Sequence, residues 1–210
     1  MKEYNRVFYA IIIIVLLSIV ERYLTYWPKS LIKTMLMAFI PIYLFKAKPK
    51  INKLKISKEA IIIIILIFTI SPIAFHMFKD FINLEQIKKQ LEITMGITKN
   101  NFILVAIYIS FINSAIEEYF FRSYLLFDKH LKNSGLISAA LFSIYHLAIM
   151  GTWTHPSIIF ISLISLFLVG LIFNFLAQKY ESIFNSWLVH MSANIMINLI
   201  AYTFILWIKF

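Results

Sequence analysis

Seven apolar runs divide the chain, over residues 5–26, 30–45, 60–78, 102–127, 134–150, 157–177 and 183–208. A helix needs about 20 mostly apolar residues to cross a bilayer. The second and fifth runs are the shortest, and the others reach that length or come close to it. The pattern predicts an all-α, polytopic membrane helix bundle of about seven transmembrane helices. It reads as a single membrane domain over 1–210, with N-terminal spans and a surface segment over 1–99 and a polar-bearing core over 100–208. The first run follows Lys2 and Arg6 as a secretory leader would. Glu21-Arg22-Tyr23 comes next in place of a small-residue cleavage site, so the run is expected to be a retained anchor. Between the third and fourth runs, residues 79–101 mix charge with Phe81, Ile82, Leu84, Ile87 and Leu91. That spacing predicts an amphipathic helix lying on the surface. Tyr26, Trp27, Trp153 and Trp207 fall near predicted helix ends, where interfacial aromatics belong.

Composition narrows the class. The chain is 61% hydrophobic and 14% charged, against about 45–50% apolar for ordinary soluble domains, which it therefore is not. It has no cysteine, which excludes disulfides and thiolate metal sites. The net charge of +10 would suit a nucleic-acid binder if it covered a face. It is concentrated instead at Lys46, Lys48, Lys50, Lys53, Lys55 and Lys58, between two apolar runs, so no nucleic-acid partner is expected. This is the positive-inside pattern. It places that connection and the N-terminus in the cytoplasm, within reach of anionic lipid headgroups. The expected location is a cell membrane. The isoleucine runs 11–14 and 61–65, with abundant Lys and Asn, point to an AT-rich genome and a bacterial source.

One polar cluster sits inside the fourth run: Glu117-Glu118-Tyr119-Phe120-Phe121-Arg122. A charge at bilayer depth costs about 2.5–3.5 kcal/mol on insertion scales, so three in six residues mark a site. Glu118 and Arg122 are four apart on a helix and can pair. Glu117 is rotated about 100° from Glu118 and is left without a partner, available as a general base or a metal ligand. A purely structural charge cluster remains the alternative.

Histidines supply possible partners. His146 ends Phe142-Ser143-Ile144-Tyr145-His146 in the fifth run, and His190 and Asn194 share a helix face in the seventh. At a rise of about 1.5 Å per residue, Glu117, His146, His190 and Asn194 lie roughly 10–18 Å from the cytoplasmic helix ends, in one layer. His76, His130 and His155 fall at helix ends or in connections. Asn113, Asn174, Asn185 and Asn198 read as helix–helix hydrogen bonds, and Gly170 as a point of close helix approach.

Two hydrolytic chemistries suit this set. Glu117 and His146 can activate water while His190 and Asn194 stabilise an oxyanion. Alternatively, Glu117, His146 and His190 can hold a catalytic metal such as zinc. A transporter also places Glu and His at depth, and a scaffold needs neither.

The residues Glu117-Glu118-x-x-x-Arg122, Phe142-x-x-x-His146 and His190-x-x-x-Asn194 occur in order on three apolar runs. Over about residues 100–200 the chain resembles the CPBP intramembrane proteases, the group that includes type II CAAX prenyl proteases, Abi proteins and lysostaphin-resistance-like proteins. The resemblance implies a CAAX-protease-like core whose hydrolytic site opens toward the cytosol. In that reading Glu117 and His146 act on water, His190 and Asn194 form the oxyanion site, and no cofactor is required. The expected activity is an intramembrane endopeptidase acting on a peptide or membrane protein. Bacteriocin self-immunity, peptide maturation and CAAX-type processing are the roles such relatives suggest. Nothing in the residues specifies an oligomeric state.

Overall fold

The computed structural model describes residues 5–52, 54–81, 83–150 and 156–205. Lys2, Lys53, Ile82, Trp153, His155 and Trp207, named above, lie outside them. The described residues form eight helices and no strand. These are α1 (Asn5–Tyr23), α2 (Tyr26–Phe45), α3 (Lys58–Phe78), α4 (84–94), α5 (Phe102–Leu126), α6 (Ser134–Met150), α7 (Pro156–Lys179) and α8 (184–205).

Each predicted apolar run falls on a helix. By length and composition, α2, α3, α5 and Ser157–Lys179 of α7 are able to cross a membrane, and Ser134–Ala148 of α6 is a shorter apolar helix. α1 carries Arg6, Glu21 and Arg22 within its 19 residues. The chain is an all-α, multi-pass membrane protein. Its lipid-facing belt is evident in α3, where Ile61, Ile62, Ile65, Ile70 and Ile73 are exposed. In water such a face would be an anomaly; against acyl chains it needs no cover.

The buried core runs through the bundle from Ile13 and Leu17 of α1 to Phe120, Phe121 and Tyr124 of α5, Phe142 and Tyr145 of α6, and Phe173 and Leu176 of α7. α6 and α7 approach closely at Gly170, where a Cβ would stand 3.0 Å from Ala139 Cα. A side chain there would require Ala139 to give way by a few tenths of an ångström. The turns on either side of Ser114–Glu118 in α5 are wound as π-helix, over Tyr108–Asn113 and Tyr119–Leu126. Such wider turns favour functional positions because they re-aim side chains.

The lysine-rich connection does not hang free. It runs as an extended strap across one end of the bundle. Tyr119 Oη donates to Ala47 O at 2.8 Å, Lys50 N to Ser123 Oγ at 2.9 Å, and Ile183 N to Lys50 O at 2.9 Å. Asn185 Oδ1 accepts from Ser57 N at 2.8 Å, and its Nδ2 donates to Lys55 O at 3.2 Å. Ser57 then caps α3 through Ala60 N at 3.1 Å. At the other end, α4 lies over the bundle with Leu84, Ile87 and Leu91 half-buried and Glu85, Gln86 and Lys89 exposed. Tyr26 N donates to Met95 O at 3.1 Å and fastens the start of α2 to this segment.

Candidate active site

Four helices deliver one polar cluster. Glu117 and Glu118 come from α5, His146 from α6, His190 and Asn194 from α8, and Lys33 from α2. Glu117, Lys33 and His190 are buried, and His146 and Asn194 are half-buried.

The two carboxylates face different ways. Glu118 Oε2 stands 3.4 Å from Arg122 Nε, with both side chains fully buried. The guanidinium lies over Phe142 at 4.6 Å and Phe173 at 5.2 Å from their ring centroids. Desolvated cation–π contacts of this kind are worth about 2 kcal/mol or more. Phe142 therefore bears on the site through Arg122, and its own carbonyl accepts from His146 Nδ1 at 2.8 Å.

Glu117 is not the unpartnered carboxylate that helical spacing leaves. Its Oε1 accepts from Lys33 Nζ at 2.5 Å and from Asn113 Nδ2 at 2.9 Å. Asn113, expected only to join helices, belongs to the cluster. Lys33 escapes notice because the second apolar run begins near residue 30, which puts it at a helix end, where a lysine snorkels to water. The helix in fact begins at Tyr26, so Lys33 lies two turns inside it. An ionisable residue inside an apolar run was the available signal.

Glu117 Oε2 is buried and accepts no hydrogen bond from the described residues. It faces His146 Nε2 at 3.8 Å and His190 Nε2 at 3.6 Å. Both rings are anchored through their other nitrogen. His190 Nδ1 donates to Glu118 Oε1 at 3.0 Å, and His146 Nδ1 donates to the Phe142 carbonyl, since an oxygen of either kind only accepts. One turn beyond His190, Asn194 Nδ2 donates to Ile109 O at 3.2 Å, and its second N–H is left for another acceptor. Ser143 and Ser192 bond the backbone carbonyls of Leu163 and Leu188.

Glu117, His146, His190, Asn194, Lys33 and Asn113 line one cavity of about 300 Å³. It extends along the first turns of α2, past Lys29 and Tyr26, to Leu91, Met95 and Ile97. The cavity thus runs away from the lysine strap. The reason is local: the strap, Tyr119 and the aromatic core close the lysine end, while α4 and its following loop span the other.

The donor set does not fit a metal as it stands. Among the described residues no group of three His, Asp or Glu side chains is placed to hold one. The separations of 3.6 and 3.8 Å from Glu117 Oε2 exceed the spacing of about 3.3 Å between ligands on tetrahedral zinc with 2.0–2.1 Å bonds. Glu117 Oε1 is also held by an ammonium. Glu117 Oε2 and the two Nε2 atoms that face it each carry a lone pair, and a water molecule offers two hydrogens to such acceptors.

A family model described as Rce1-like, type II CAAX prenyl endopeptidase, matches residues 99–196. No curated protein and no solved structure matches the chain. The matched stretch holds Glu117, Glu118, Arg122, Phe142, His146, His190 and Asn194; Lys33 and the strap lie outside it. Through residues 99–196, the chain is similar to the type II CAAX prenyl endopeptidases.

Proposed function

We propose that the protein is an intramembrane endopeptidase that cleaves a peptide or membrane-protein substrate with a water activated by Glu117. The observation that carries this reading is the convergence of Glu117 Oε2, His146 Nε2 and His190 Nε2 at 3.6–3.8 Å in a cavity walled by apolar helices. A water held there donates to Glu117 and to a histidine. Glu117 takes its proton as the water oxygen attacks the scissile carbonyl carbon. The oxygen of the tetrahedral intermediate accepts from the second N–H of Asn194, beside His190. The C–N bond then breaks, and the proton held by Glu117 passes to the leaving amine. Atoms balance as one water consumed per peptide bond, and no metal or other cofactor takes part in any step.

In this reading the cavity receives the segment of substrate that carries the scissile bond. Its chemistry names neither the sequence cut nor the role, so bacteriocin self-immunity, peptide maturation and CAAX-type processing are separated by substrate rather than by the site. The test uses purified full-length protein in lipid nanodiscs, incubated with a library of membrane-anchored peptides and read by mass spectrometry. The wild type is expected to give defined products, and Glu117→Gln and His146→Ala none. Equal products from Glu117→Gln would sink the reading and favour a scaffold. Transport lost in that variant, with no product from either protein, would favour a carrier.

A further inference from the structure

Lys33 lies outside the stretch that carries the family match, yet it makes the shortest contact in the cluster. Its ammonium meets two acceptors and one aromatic ring. It donates to Glu117 Oε1 at 2.5 Å and to Asn113 Oδ1 at 2.5 Å, and it sits 4.8 Å from the centroid of the Tyr145 ring. Its side chain is only 9% exposed, against 3% for Glu117. Asn113 and Glu117 are one helical turn apart on α5, so both present their polar ends to the same lysine. Asn113 completes a triangle by donating to Glu117 Oε1 at 2.9 Å.

We propose that Lys33 is the site's own fixed cation: a positioning residue that anchors Glu117 by one oxygen, turns the other toward His146 and His190, and occupies the ground on which a divalent metal would otherwise be held. The inference rests on the hydrolytic reading of the same site. The physical argument is one of charge and geometry. A carboxylate tied at Oε1 by two donors cannot rotate, so Oε2 stays aimed at the histidines. A dication bound at Oε2 would stand within a carboxylate's width of the ammonium, in surroundings too apolar to screen them. A neutral water meets no such repulsion. Histidine and glutamate alone would make an acceptable zinc donor set; a lysine inserted from a helix outside the matched segment changes what that set can hold. Arginine at 33 would keep the charge, whereas methionine would keep the volume and remove it.

Wild type, Lys33→Arg and Lys33→Met are prepared as full-length protein in nanodiscs, and zinc is measured by equilibrium dialysis against zinc chloride. The wild type and Lys33→Arg are expected to take up no stoichiometric zinc, whereas Lys33→Met gains one zinc per chain that is lost again in Lys33→Met/His146→Ala. In cleavage assays, Lys33→Met is expected to lose about 100-fold in kcat, as misaimed catalytic groups do, with KM within about threefold. Lys33→Arg recovers part of the loss, and wild-type cleavage is unchanged by chelator. One zinc per wild-type chain held through His146, with cleavage abolished by chelator, would overturn the proposal. So would a Lys33→Met variant with wild-type kcat and no zinc site. The zinc measurement needs no substrate, so it decides on Lys33 even if the wild type cleaves nothing, and zinc held by the wild type through His146 overturns the proposal even if Lys33→Met fails to fold.

Discussion

His190 donates from Nδ1 to Glu118 Oε1 at 3.0 Å, across the contact between α8 and α5. This one bond separates the roles of two adjacent carboxylates. Glu118 is spent on His190 and Arg122, with no exposure of its side chain, while Glu117 faces the cavity. Glu118→Ala would leave a buried guanidinium without its counter-charge, and breaking a buried pair from one side costs about 3–5 kcal/mol. The expected result is a large drop in thermal unfolding temperature in detergent, together with loss of cleavage because His190 loses its anchor. Arg122→Lys is expected to be destabilising as well, since an ammonium lacks the planar, delocalised guanidinium that lies over Phe142 and Phe173.

Gly170→Ala would push a methyl group to 3.0 Å from Ala139 Cα and 3.1 Å from its Cβ. Both neighbours belong to a helix backbone or its first carbon, so neither can swing aside. Overpacking of this kind costs about 1–3 kcal/mol. The shift would also move the Gly170 carbonyl, which accepts from Arg122 Nη2 at 3.5 Å. Thermal unfolding should show the loss, and Ala139→Gly in the same chain should recover part of it.

Asn194→Ala removes the N–H assigned to the oxyanion while leaving Glu117, His146 and Lys33 in place. Loss of one such donor typically lowers kcat by about 10²–10³-fold. The predicted signature is that fall with KM nearly unchanged, measured on the peptide that the wild type cleaves. A change confined to KM would place Asn194 in substrate binding instead.

Much of the cluster can be found from helical spacing alone. Glu118 with Arg122, and His190 with Asn194, are four-residue pairs, and the equal depth of the three motif-bearing helices follows from the rise per residue. Spacing gives the face of a helix but not its rotation against a neighbour. For that reason neither the bond from His190 to Glu118 nor the place of Asn113 could be read from it. Lys33 was hidden by four residues: an apolar run taken to begin at residue 30 makes it a surface lysine, and a helix beginning at Tyr26 makes it a buried one. The direction of the cavity depends on which helix ends part and which the strap holds shut, and those contacts join residues more than 70 positions apart, such as Lys50 with Ser123 and Ser57 with Asn185.

The strap also imposes an order on biosynthesis. Residues 46–57 leave the ribosome long before Ser123, Ile183 and Asn185, the groups that hold them. Until α8 has been made, Lys50 O, Lys55 O and Ser57 N must be satisfied by water, and the same helix brings His190 and Asn194. A nascent or truncated chain ending before α8 therefore has neither a closed lysine end nor a complete cluster. An enzyme embedded among other membrane proteins would in this way stay inert until its final helix is inserted.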